Sequence, residues 1–308
     1  MGGLIRSVAN WRLRTRTLEL GRRTWVMGVV NITPDSFSDG GSFLRPDAAV
    51  ARGLRLLDEG ADLLDLGAES TRPGSRAGGE EGTASAPAVS ADEEQARLLP
   101  VLEGLLKARP SAILSVDTYK AKTARAALNA GAETVNDVSG LVWDREMAGV
   151  CAEAGCGVVL MHTRGRPEQW TAQEQLAPDA LIAMVREGLA GSLAAADSAG
   201  IAREAVVLDP GYGFGKRFDE NFLLLARQQQ LLGLGRPLLT GVSRKSFLGQ
   251  ALAELHSGVA PPAREREMAS LAAMVAAILH GASIVRVHNV RPVVEAARIA
   301  DKVLVHSS

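Results

Sequence analysis

Residues 115–140 read SVDTYKAKTARAALNAGAETVNDVSG. The stretch opens on the end of an apolar run, Ile113–Val116, and closes on a second, Glu133–Asn136. Between them Ala and Leu recur near helical spacing over 120–129, and Gly131 follows, which is the pattern of a short amphipathic helix with a glycine stop. Two strands joined by one such helix run parallel, because a parallel pair needs a crossover of about a dozen residues. Each strand ends in polar side chains, Asp117 in the first and Asn136-Asp137 in the second.

Outward from this unit the pattern repeats. Strand-like runs fall at Trp25–Val30, Leu63–Leu66, Ile113–Val116, Glu133–Asn136, Val158–Met161, Val206–Leu208, Leu238–Thr240 and Ile284–Val287. Helical patterns fall at 46–59, 92–108, 120–129, 144–154, 178–199, 219–227, 263–280 and 291–304. Eight strands, each followed by a helix, predict an α/β chain folded as a (β/α)8 TIM barrel rather than an open doubly wound sheet, whose count has no reason to stop at eight. Ahead of it, Trp11–Thr17 alternates with period 2 and Gly21-Arg22-Arg23 turns the chain. Residues 1–24 are therefore expected to form a short N-terminal β-hairpin extension with a solvated basic face, and 25–308 a single barrel domain.

Composition narrows the class. Of 308 residues, 46% are hydrophobic and 22% charged, a globular balance that excludes a wholly disordered chain. Thirty-four Lys and Arg against 35 Asp and Glu leave a net charge of −1, so no overall positive field exists to hold a nucleic acid. Cys151 and Cys156 match neither a disulfide framework nor a metal spacing and are expected to be reduced thiols. The most apolar run, Met268–Leu279, is too short to span a bilayer, and no apolar targeting core follows the N-terminal arginines; a cytoplasmic protein without membrane partners is expected.

In a (β/α)8 barrel the chemistry sits on the loops after the strands. Asn31 and Asp35, Glu69–Arg72, Asp117, Asn136-Asp137, His162, Asp209, Ser243–Ser246, Arg286 and His288 occupy those positions here. Asp117, Asn136, Asp209 and Lys245 form one set: buried carboxylates need partners, and the guanidine-like edge of a pterin ring would supply them, with Lys245 and Asn136 as donors. Asn31, Thr71, Arg72, Arg286 and His288 form a second set suited to a phosphate-like anion. Oxygen ligands beside a polyphosphate call for Mg²⁺, and Asn31 is placed to hold it. Hydrolase, NTPase and zinc motifs are absent. The glycine-rich DPGYGFGK (209–216) reads as a turn, since its spacing is not that of a dinucleotide loop.

VMGVVNITPDSFSDGG (26–41), GADLLDLGAESTRPGS (60–75), VVLMHTRGRP (158–167), LLTGVSRKSFLG (238–249) and IVRVHNV (284–290), with the two stretches already quoted, closely resemble the dihydropteroate synthases of folate biosynthesis over about residues 25–304. The resemblance implies an enzyme, commonly a homodimer, that joins p-aminobenzoate to 7,8-dihydropterin-6-ylmethyl diphosphate and releases diphosphate by a dissociative path. It implies a pterin pocket of Asp117, Asn136, Met161, Asp209, Phe214 and Lys245. Asn31 would face Mg²⁺, with Thr71, Arg286 and His288 at the diphosphate. Mobile loops 31–41 and 69–75 would bring Asp35, Phe37, Arg72 and Pro73 to the aminobenzoate, whose carboxylate would meet Ser246 at a helix start. Asp35, Arg72, Arg286 and His288 are the catalytic positions so implied. Ala68, Ala269 and Asn289 depart from the family pattern without removing a ligand, and 76–90 forms an unusually long, Gly/Ala/Ser-rich extension of the second loop. A non-catalytic pterin-binding relative or a pterin-binding methyltransferase would have no use for the anion-binding set.

Overall fold

The computed structural model of the chain describes residues 6–32, 46–69 and 89–306. Two short antiparallel strands come first, β1 (Ala9–Arg12) and β2 (Thr17–Leu20). The barrel follows as β3 (Trp25–Asn31), α1 (Pro46–Asp58), β4 (Leu63–Gly67), α2 (Ala91–Ala108), β5 (Leu114–Asp117), α3 (Ala121–Asn129), β6 (Thr134–Asp137), α4 (Met147–Ala154), β7 (Gly157–Met161), α5 (Pro178–Ser198), β8 (Val206–Asp209) and α6 (Phe218–Arg227). It closes with β9 (Leu238–Thr240), α7 (Ser246–Leu252), α8 (Glu267–Leu279), β10 (Ala282–Val287) and α9 (Val290–His306). Strands β3 to β10 run parallel and shut into one barrel in chain order, β10 returning to pair with β3. The (β/α)8 fold is therefore present.

Apolar side chains divide as the barrel demands. One layer joins strand exteriors to helices, for example Leu64, Val116 and Leu208 against Leu105, Leu128 and Leu224. A second fills the interior near the strand starts with Met27, Leu63, Ile113, Val159, Val207, Leu239 and Ile284, and Trp11, Leu13, Leu18 and Leu20 of the N-terminal hairpin complete it. The strands read as nearly continuous apolar runs because both their faces are covered.

The N-terminal expectation needs correction. The turn lies inside the segment expected to be one strand, with the Leu13 amide donating to the Arg16 carbonyl at 2.8 Å. A hairpin of 9–12 and 17–20 delivers four apolar side chains into the barrel base, whereas Trp25 already belongs to the barrel. Its basic face is also not simply solvated. Arg6 is 4% exposed and pairs with Asp301 at 2.6 Å; Arg14 donates to the Ala132 carbonyl and Arg16 pairs with Glu133. Burying the apolar face forces these arginines against polar groups at the strand starts, where pairing offsets desolvation.

Candidate active site

Site-forming side chains come from the C-terminal ends of different strands. At the centre, β10 carries Arg286 between two carboxylates: its Nε donates to Asp65 Oδ2 of β4 at 2.6 Å, and its Nη2 donates to Asp117 Oδ2 of β5 at 2.6 Å. Asp65 is fully buried, and its Oδ2 also accepts from Asn136 Nδ2 of β6 at 2.9 Å. The parallel register puts Asp117 beside Asn136 and beside Gly67; at Gly67 a Cβ would meet the Asp117 carboxylate at 3.5 Å. Burial works against the Arg286 charge, but Asp65 and Asp117 outweigh it and keep the guanidinium protonated. Burial also pushes the Asp117 carboxyl above its ordinary range, opposed by Arg286 and reinforced by Asp65.

The next sector is built by the glycine-rich loop after β8. Asp209 Oδ1 accepts from the Gly211 amide at 2.7 Å, while burial drives its pKa up against that bond and the charge of Lys245. Gly211 adopts φ +70°, and a Cβ there would stand 1.9 Å from the His162 carbonyl oxygen, so only glycine permits the approach. Lys216 ties the two loops together, its Nζ donating to the carbonyls of Gly211 (2.7 Å), His162 (3.2 Å) and Phe214 (3.3 Å). Burial lowers its pKa to about 7. Met161 and Phe214 share an apolar cluster with Tyr119, Val138 and Trp170, and Lys245 Nζ lies 4.1 Å from the Phe214 ring centre. A flat, polar-edged ring fits such a surface: an apolar wall for its faces and carboxylate, amide and ammonium groups at the rim.

His288 stands half-buried after β10, its Nδ1 3.0 Å from Ser243 Oγ; its backbone carbonyl accepts from Arg52. His162 is different. Burial pushes it down to about 2, so it is a neutral imidazole packed under α5, where a Cβ on Gly188 would touch its ring. Asn31 ends β3 half-buried, and Ser246 is the exposed first residue of α7. Lys120 pairs with Glu69 and with Glu94, and the Val89 amide donates to Glu69 at 3.2 Å. Asp35, Phe37, Thr71, Arg72, Pro73 and most of the 76–90 extension lie outside the described residues.

The structure thus joins what the sequence reading separated. Arg286, expected at an anion, is bonded to Asp117, expected at a pterin; Asn136, expected as a donor to ligand, already gives one N–H to Asp65. Asp65 and Lys216 were missed. Asp65 sits inside the run LLDL rather than after it, although a lone carboxylate in a buried strand was itself a signal. Lys216 closes a motif dismissed as a turn.

The chain is also similar, over most of its length, to known proteins. Residues 27–288 match the family model described as pterin binding enzyme. The dihydropteroate synthase of Escherichia coli K12 is 40% identical over 279 residues, covering 91% of each chain. The Xanthomonas albilineans dihydropteroate synthase solved with 4-aminobenzoic acid is 39% identical, with a TM-score of 0.82 over 96% of this chain and 98% of that one; it has also been solved with 7,8-dihydropteroate, at a TM-score of 0.79. The Yersinia pestis enzyme, solved with a sulfonamide drug complex, is 37% identical with a TM-score of 0.83 over 97% of this chain and 100% of that one. With its barrel, its strand-end carboxylates and these relatives together, the chain belongs to the dihydropteroate synthase family of pterin-binding transferases.

Proposed function

We propose that the protein condenses p-aminobenzoate with 7,8-dihydropterin-6-ylmethyl diphosphate to give 7,8-dihydropteroate and diphosphate, as a cytoplasmic homodimer using Mg²⁺. The observation that carries the reading is the convergence of Asp117, Asn136, Asp209 and Lys245 on one barrel mouth beside Met161 and Phe214. Asp117 and Asp209 would accept from the pterin's amino and ring N–H groups, and Lys245 would donate to its acceptor edge.

An aromatic amine is neutral at pH 7 with its lone pair free, so attack on the pterin methylene needs no general base. The demanding event is departure of diphosphate. Arg286 and His288 would oppose the charge that builds on the leaving oxygen, while half-buried Asp117 and buried Asp209 would support the positive charge left on the pterin methylene, which favours a dissociative path. Among the described residues no group of three His, Cys, Asp or Glu stands together to hold a metal. Mg²⁺, which keeps several waters and binds through few protein oxygens, would suit Asn31 together with substrate diphosphate; when bound it supplies charge neutralisation. Asp35, Phe37, Arg72 and Pro73 would complete the aminobenzoate side, with Ser246 toward its carboxylate, and Thr71 would stand near the diphosphate. No described helix is long and apolar enough to cross a membrane. Met268 on α8 and Ile299 on α9 expose apolar side chains suited to a second copy.

Incubation with both substrates and Mg²⁺ is expected to release diphosphate and form dihydropteroate in equal amounts, and to stop on chelation. Folded protein that yields neither product would sink the reading. Asp209→Asn is expected to weaken dihydropterin binding by about 1.5–3 kcal/mol, the worth of a hydrogen bond to a charged group, or roughly 10- to 150-fold. Calorimetry with free dihydropterin tests this; an unchanged dissociation constant would remove Asp209 from the pocket.

A further inference from the structure

Asp65 faces the two groups on which the proposed reaction most depends, yet it lies within a strand and is fully buried, not at the barrel mouth. We propose that Asp65 is the positioning residue of this site: a carboxylate that fixes the Arg286 guanidinium from its Nε edge and turns the Asn136 amide so that its oxygen, not its nitrogen, is offered to the ligand. The inference rests on the pocket reading above and goes beyond it, since Asp65 itself touches no substrate.

The geometry supplies the reason. An ionised carboxylate can only accept. Oδ2 of Asp65 takes the Nε–H of Arg286 at 2.6 Å and an N–H of Asn136 at 2.9 Å, while Oδ1 is buried without a hydrogen-bond partner. With Nδ2 committed toward an acceptor below it, Asn136 presents Oδ1 as an acceptor for a ligand N–H. A group at 65 that offered a donor on that side would reverse the amide. For Arg286, two carboxylates hold two different edges: Asp117 at the mouth takes Nη2 and Asp65 beneath takes Nε. Ligand that engages the Asp117 carboxylate competes with Arg286 for it, whereas the Asp65 contact lies below the mouth and keeps the guanidinium tethered while its outer edge turns to the leaving group. A cation already set in place when ligand binds contributes most to catalysis, because it needs no reorganisation at the moment charge develops. Asp65 therefore serves turnover through Arg286 and pterin affinity through Asn136, two effects that separate experimentally.

The test uses the full chain with D65N and D65L, each measured for melting temperature, kcat, KM for both substrates and the dissociation constant of free dihydropterin. In D65N an amide oxygen can replace Oδ2 while the uncharged nitrogen takes the place of unpartnered Oδ1. Pterin affinity is then expected within threefold of the parent, and kcat about tenfold lower because the tether has lost its charge. D65L removes both acceptors, so kcat should fall at least 100-fold and pterin affinity at least tenfold. In an Asn136→Ala background D65L should have no further effect on pterin affinity. Values of kcat within twofold of the parent in D65N would overturn the proposal, as would a D65L loss of affinity that persists in full without Asn136. If D65L does not fold, the kcat-against-affinity split in D65N decides. A parent protein that binds no dihydropterin would overturn the pocket reading together with this one, whereas a parent that binds and turns over beside an indifferent D65N overturns only the role of Asp65.

Discussion

Arg286→Ala is expected to destabilise the protein by about 3–5 kcal/mol near neutral pH, because removing one partner of a buried ion pair leaves the other charge uncompensated. Here two are left: Asp65, with no exposure, and Asp117, only 13% exposed at its side chain. The sign with pH follows. Burial already raises the Asp117 carboxyl against the pull of Arg286; in the variant that pull is gone, so its folded pKa rises further above the unfolded one, the folded state binds more protons, and the variant gains stability relative to the parent as pH falls through the carboxylate range. Urea unfolding at pH 7.5 and pH 5 should show the larger loss at pH 7.5. An equal loss at both would mean that other cations neutralise the pair. Turnover should fall by about 10²–10³, the usual cost of removing one donor at a developing anion. Placing Arg286 at the diphosphate alone would leave free dihydropterin binding intact; its bond to Asp117 means that pterin affinity changes as well.

The second large effect lies at the opposite end of the barrel. Trp11 is fully buried, packs with Met27, Leu63, Val159, Val207 and Ile284, and donates its Nε1–H to the Ala205 carbonyl at 2.9 Å. Trp11→Ala is expected to cost about 3–5 kcal/mol, from lost apolar transfer and a cavity that the rigid strands cannot close. Because it plugs the strand starts while the chemistry gathers at the strand ends, kcat/KM measured well below the melting transition should stay within twofold of the parent. Melting curves and steady-state kinetics check both parts. An unchanged melting temperature would make the hairpin a loose appendage, and a matching loss of kcat/KM would mean that the barrel base governs the mouth.

Legibility differed along the chain for physical reasons. The strand–helix alternation was readable because a parallel strand buried on both faces must be apolar throughout, and its helix must show one apolar stripe. Helix α8 starts at Glu267 rather than 263, where Ala263–Glu265 makes only a single tight turn; the short α7 has too few residues to show a period. The N-terminus of α3 is capped from a distance, the Ala121 amide donating to Asp144 at 2.7 Å. No local pattern encodes such a cap.

The same division runs through the site. Asp117, Asn136 and Asp209 stand directly at the ends of apolar runs and Arg286 one residue short of such an end, and eight such runs with their helices are a property of composition and order along the chain. That much, with the motifs that carry the family resemblance, the sequence determined by itself. Which oxygen meets which nitrogen depended on closure of the barrel, since Asp65 and Arg286 are 221 residues apart in the chain and become neighbours only because β10 returns to β3, which pairs with β4. Lys216 likewise draws its role from three carbonyls gathered by two loops. Hydrogen bonds and ion pairs are short-ranged and directional, so their partners are set by where the chain returns in space, whereas burial of an apolar face leaves its period in the order of the residues.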